Sequence, residues 1–271
     1  MQSVRRRPWG RRFALPQGGA ARGAISPPAR GDLVALAAFA ETGGRLNSNR
    51  RGPVPEPIDL YWSYRSPYCY IGVDRIAALA EGYDVTLSLR VVMPLAIREP
   101  KYFQTLPETR FSYLWMDTQR VAASLDLPFA RPDPDPVLFD AGTRRASDEQ
   151  PFIHRLSRLG AAASEQGRSF EFAREVAHLL WDGRTKGWDE GSHLADAAGR
   201  AGLDLSEMEA AVASDPARLD AQIVADGAQL SAIGQWGVPT LAVRGEPFFG
   251  QDRIDLFTWR LRELGVAGPS E

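Results

Sequence analysis

Apolar and polar positions alternate through "IDLYWSY" (58–64). Ile58, Leu60, Trp62 and Tyr64 fall on one side of an extended chain, Asp59 and Ser63 on the other. A period of two predicts a strand. From Pro67 to about Ala80 the spacing turns helical, with Ile71, Ile76, Leu79 and Ala80 as the apolar positions and "EGYD" as the stop. "VTLSLRVV" (85–92) alternates again, with Val85, Leu87, Leu89 and Val91 on one face. Strand, helix and strand with short connections predict a βαβ unit whose strands run parallel.

The pattern then changes. A helix is predicted from about Thr109 to Leu125, carrying Phe111, Leu114, Trp115, Val121 and Leu125. "LPFARPDPDPVLFD" holds too many prolines for either regular element and reads as a stiff loop. Helical spacing runs through 151–166, 169–182, 191–201, 206–213 and 216–233, with Ser206-x-x-Glu209 as a capping box. No strand pattern interrupts this block, so about 105–233 reads as a helical insertion. Strand signals return at Val238–Val243 and Phe248-Phe249, around a turn at Arg244-Gly245-Glu246-Pro247. A closing helix carries Ile254, Phe257, Trp259 and Leu261, with Gly265 as its stop. The order βαβ, helical block, ββα predicts an α/β, thioredoxin-like fold with a four-stranded sheet and an inserted helical domain. No internal repeat is visible.

Composition changes this picture at the chain's beginning. Residues 1–55 are rich in Arg, Gly, Ala and Pro and read as a disordered leader or an over-extended gene start, ahead of a domain at 56–265 and a tail at 266–271. "GRRFAL" resembles a twin-arginine signal, but Gly, Gln and Arg22 break the stretch after it. "LVALAAFA" is too short to span a bilayer, and a cytoplasmic location is expected. A formal net charge of −2 gives no reason to expect nucleic acid or an anionic membrane as partner. The single cysteine, Cys69, excludes an internal disulfide and a two-cysteine redox cycle within one chain.

Three stretches carry candidate chemistry. "SPYC" (66–69) falls where the first strand hands over to the first helix. Ser66 reads as an ordinary N-cap ahead of Pro67, and equally as a hydroxyl that donates to a thiolate at the positive helix end. "GVPT" (237–240) precedes a strand. The ordinary reading of Pro239 is a proline tolerated at a strand's first residue. A cis Val238–Pro239 bond would instead leave the Val238 backbone free for a peptide-like ligand. "GQD" (250–252) opens the last helix. Asp252 reads as its N-cap, or together with Gln251 as a grip on a zwitterion, Asp252 taking the ammonium.

These stretches occur in the order such a fold needs. With them the sequence resembles the 2-hydroxychromene-2-carboxylate isomerases and the kappa-class glutathione transferases, within the wider DsbA-like thioredoxin group. The resemblance runs from about Ile58 to Gly265, and "GVPT…GEPFFGQDR" is its most specific part. It implies glutathione as cofactor, its sulfur hydrogen-bonded by Ser66 and its cysteinyl unit paired with Val238 beside cis Pro239. Gln251 and Asp252 would hold its γ-glutamyl end. A homodimer is expected from the resemblance alone.

Family substrates are aromatic carboxylates, so an arginine partner is expected. Arg65 and Arg98 are the nearby candidates, though each also reads as a plain surface residue. Two departures stand out. Cys69 occupies a position where many relatives carry serine, and "VVMPLAIREPKYF" lacks the glycine-rich loop of several glutathione-binding relatives. His154, His178 and His193 have no metal-ligand spacing, so no metal is expected. Trp181, Trp188 and Trp236 read as core, and Tyr68 and Tyr70 as residues flanking the site or packing on the first helix.

The leading expectation is a glutathione-dependent cis–trans isomerase acting on a small aromatic or electrophilic substrate. The alternatives are a glutathione transferase or monothiol oxidoreductase using Cys69, and a thioredoxin-like module that only binds peptides or partners.

Overall fold

The structure is a computed structural model describing residues 54–140 and 142–269; the expected leader through residue 53, and Ser270 and Glu271 of the tail, lie outside them. β1 (Glu56–Trp62) leads into α1 (Pro67–Gly82) and β2 (Val85–Val91). β2 lies parallel to β1, with Ile58 opposite Leu87 and Leu60 opposite Leu89. Burial fixes that register. Ile58, Leu60 and Trp62 are each 1% exposed or less, and a one-residue slip would turn all three to the other face.

Next come α2 (Leu95–Arg98), α3 (Tyr102–Thr105), α4 (Glu108–Ser124), α5 (Pro151–Glu165), α6 (Ser169–Trp181), α7 (His193–Arg200), α8 (Leu205–Ser214) and α9 (Pro216–Ala232). The chain then returns through β3 (Thr240–Val243) and β4 (Glu246–Phe249), a 3₁₀ turn at Gln251–Arg253 and α10 (Ile254–Glu263). β3 runs antiparallel to β1 and β4 antiparallel to β3, giving the sheet order β2-β1-β3-β4. This is the thioredoxin-like α/β plan that the order of the sequence patterns predicts.

Both faces of the sheet are covered. Ile58, Leu60, Trp62 and Tyr64 join one large core with Ile76 of α1, Leu156 of α5, Phe172 of α6 and Phe257 of α10. On the opposite side Tyr61 packs with Val92, Ala242 and Leu230 of α9. No helix among the described residues is long and apolar enough to cross a membrane.

Local expectations are corrected at four places. The cap of α8 is Asp204, whose carboxylate accepts from the N–H groups of Ser206 and Glu207; Glu209 instead pairs with Arg155 at 2.6 Å. A carboxylate placed before the serine outcompetes its hydroxyl for the free amides. Asp252 does not cap the last helix. It lies inside the 3₁₀ turn, bound to Arg253 at 2.6 Å, and α10 begins after Arg253.

The hairpin turn is tighter than the expected four residues. Only Arg244 and Gly245 lie between the strands, with φ of 51° and 81°, the positive pair that a two-residue hairpin requires. Pro247 then fits opposite Ala242 because β4 is an edge strand. Finally, the stretch "PLAIREPKYFQT" folds into α2 and α3, which no periodicity announces. Each is four residues long, about one turn, bounded by Pro94 and the Glu99–Lys101 corner. The proline-rich 128–137 stretch is irregular as expected, with Asp133–Pro134 cis.

Candidate functional site

The site grows from the carboxyl end of β1. Ser66 N–H donates to Ser63 O at 3.1 Å, closing a four-residue turn, and Ser66 then caps α1 with its Oγ accepting from the Cys69 N–H at 3.3 Å. Pro67 at the first helical position forfeits no bond there. The Ser66 hydroxyl also donates toward Val238 O at 3.5 Å, which joins the helix start to the loop before β3. Val238–Pro239 is cis, as expected. Pro239 O accepts from the Gly250 N–H at 2.9 Å, while no partner among the described residues takes the Val238 N–H.

Cys69 lies immediately behind this capped turn and is fully buried. Burial pushes its thiol up to about 12, although the Ser63 backbone and the Ser66 hydroxyl act in the opposite direction. The one sulfhydryl of the chain is therefore a protonated core group.

In front of the turn opens a cleft of ≈ 170 Å³. Its polar wall includes Ser63, Ser66, Arg65 and Arg98; Tyr68, Phe103, Leu114, Trp236 and Phe249 supply apolar surface. Three aromatic rings step along one side, Tyr102 to Trp236 at 6.1 Å and Trp236 to Phe249 at 5.3 Å. Tyr68 donates its hydroxyl to Asp117 of α4 at 2.6 Å, and burial followed by that carboxylate raises its pKa.

The two arginines differ. Arg65 makes a bidentate bond to Asp135, at 3.1 and 2.9 Å, and its guanidinium stacks 5.2 Å from the Phe139 ring. It is committed to holding the proline-rich loop. Arg98 Nε donates to Met93 O at 2.8 Å and Nη2 to Trp236 O at 2.7 Å. It has no carboxylate partner among the described residues, and burial lowers its pKa. A half-buried guanidinium held only by carbonyls retains charge for an incoming anion.

The structure thus brings Ser66, Val238, Arg65 and Arg98 around one cleft. Pro239 supports its floor through Gly250. Gln251 and Asp252 lie outside the cleft lining. Gln251 is buried against α1, its backbone oxygen accepting from Arg75 at 3.1 Å. Asp252 is exposed and paired with Arg253 at 2.6 Å. Among the described residues no group of His, Cys, Asp and Glu could hold a metal ion.

Sequence reasoning misplaced Trp236 in the core. Trp181 and Trp188 are buried there, but Trp236 is half exposed at the cleft. It also missed Ser63, Phe103, Leu114 and Phe249. The run of aromatics in "KYF" and the tryptophan beside "GVPT" were the only signals for that wall.

A family model for the DSBA-like thioredoxin domain matches residues 57–262, well over half of the chain. The chain belongs to that family. Solved DSBA-like structures share its fold. A 2-hydroxychromene-2-carboxylate isomerase aligns over 77% of this chain and 95% of its own, at 21% identity and a TM-score of 0.55. A Streptomyces coelicolor protein described as a probable DsbA oxidoreductase aligns over 80% and 93%, at 20% identity and a TM-score of 0.53. No curated protein matches the chain.

Proposed function

We propose that this DSBA-like protein is a glutathione-dependent cis–trans isomerase for a small aromatic carboxylate bearing a conjugated double bond. The observation that carries this reading is the sealed Cys69. A thioredoxin-type helix start favours a thiolate, and the chain's only thiol is buried and protonated, which supports a thiolate brought by a ligand. That same burial argues against a monothiol oxidoreductase working through Cys69.

The residues present fit glutathione. A hydroxyl at the helix N-terminus, a Val238 N–H with no partner among the described residues and an open apolar cleft meet a thiolate, a peptide unit and a hydrocarbon surface respectively. When bound, glutathione would supply a nucleophilic sulfur for reversible addition to the double bond, so that the bond can rotate before elimination restores it. Ser66 would donate to that sulfur while the first amides of α1 add their dipoles. The Val238 backbone would fix the cysteinyl unit. Asp252, outside the cleft lining, would exchange Arg253 for the γ-glutamyl ammonium; Gln251 would act beside it, its side chain already turned toward Arg75 at 3.5 Å. Arg98 would bind the substrate carboxylate with the aromatic wall against its ring.

The test uses the full chain. Calorimetry should give saturable glutathione binding, and 2-hydroxychromene-2-carboxylate should isomerise only when glutathione is present. Ser66→Ala should lower kcat, while Arg98→Ala should chiefly raise KM, by roughly tenfold or more for a lost charge-assisted contact. Absence of binding, or a rate indifferent to glutathione, would overturn the reading.

A further inference from the structure

Ser63 closes the turn that Ser66 opens onto the helix, and it belongs to the wall of the same cleft. It is 2% exposed, and its Oγ finds no hydrogen-bond partner among the described residues. Buried hydroxyls are nearly always paired, because an unpaired one forfeits its bonds to water and gains nothing in return. The backbone of Ser63 is already employed: its carbonyl accepts from Ser66 N–H, and its backbone lowers the pKa of the Cys69 thiol against burial. Only the hydroxyl is left over.

The ends of such a turn lie within roughly 7 Å of each other. Ser63 and Ser66 therefore stand at the two ends of one turn beside the α1 N-terminus, and both line the cleft. Arg65, between them in sequence, is paired with Asp135.

We propose that Ser63 is a second hydroxyl donor to the anionic sulfur of glutathione, acting beside Ser66. The proposal rests on the reading that glutathione occupies this cleft. Two donors and a helix end divide the stabilisation of the thiolate, so loss of either donor weakens the anion without abolishing binding of the tripeptide. S-methylglutathione, which cannot form a thiolate, should be indifferent to Ser63.

The experiment titrates bound glutathione by thiolate absorbance near 240 nm in the full-length wild type, Ser63→Ala, Ser63→Thr and Ser66→Ala. Calorimetry with S-methylglutathione runs in parallel. Ser63→Ala should raise the apparent pKa of the bound thiol by about one unit, Ser63→Thr should restore it, and S-methylglutathione affinity should stay within about twofold. A thiol that titrates in Ser63→Ala as in wild type would overturn the role of Ser63 while leaving the glutathione site standing. So would equal loss of both ligands, which marks a packing role. No glutathione binding by the wild type would instead sink the reading beneath it.

Discussion

Cys69 and Ser66 are three residues apart at the start of α1 but have opposite fates. The serine stands at the mouth of the cleft as a cap, while the sulfur turns back into the core. With its thiol pushed up to about 12, Cys69 carries almost no thiolate at neutral pH. Iodoacetamide at pH 7.5 should leave it unmodified in the native protein and label it fully in guanidinium chloride. Native labelling as fast as the unfolded rate would return Cys69 to the list of active groups. Single-residue roles were readable from sequence where a residue type sits at a defined place, as Ser66 does before Pro67. Ser63 escaped notice because an alternating strand merely assigns it to the polar side. Its missing partner exists only once the chain is folded. Arg98 and Arg65 looked alike for the same reason, and only the position of Asp135 separates them.

Among the elements, α5 shows how distant packing reaches the cleft. Gly160 lies midway along this helix, and the ring and hydroxyl of Tyr64 rest directly on it. Tyr64 sits inside the Ser63–Ser66 turn, so the absent side chain of Gly160 sets how deep that turn lies. A Cβ there would come within 2.6 Å of Tyr64 Cε2, and the ring is buried in the core. Alanine is the better helix former by about 1 kcal/mol. The overlap should nevertheless win, and Gly160→Ala should destabilise the fold by roughly 1–3 kcal/mol. Urea unfolding measures this, and a more stable variant would show that the turn yields easily. Helices of this kind were legible because ten or more residues repeat their apolar face. α2 and α3 are too short to complete a repeat, although they carry Arg98, Tyr102 and Phe103 to the cleft.

For the whole molecule, the order of strands and helices was readable because each element repeats a local pattern. The cleft was not, since its walls come from segments as far apart as Ser63 and Phe249. A second non-local feature is a buried carboxylate that ties α9 to the sheet. Asp226 accepts from the Val91 N–H at 3.1 Å and lies 3.9 Å from Arg90 Nη1. Desolvation dominates: it raises the pKa from 3.8 to about 6, against the pull of Arg90 and the Val91 amide and with a small push from Asp59. The sign of the linkage follows from that direction. Below about pH 4 the group is protonated in both folded and unfolded chains, and its contribution to stability is fully present. Between about pH 4 and 6 the unfolded chain loses the proton first, so stability falls. Above about 6 the loss is complete, about 3 kcal/mol for a shift of about two units. Other carboxylates, such as Asp220 beside Arg158, are held below their ordinary values and slope the opposite way. The measurement is therefore a difference. Asp226→Asn keeps an oxygen for the Val91 amide but has no proton to lose. Its stability relative to wild type, from urea titrations at about pH 4 to 7, should rise with pH by up to about 3 kcal/mol. Parallel curves for the two proteins would mean that Asp226 ionises in the fold as easily as in water.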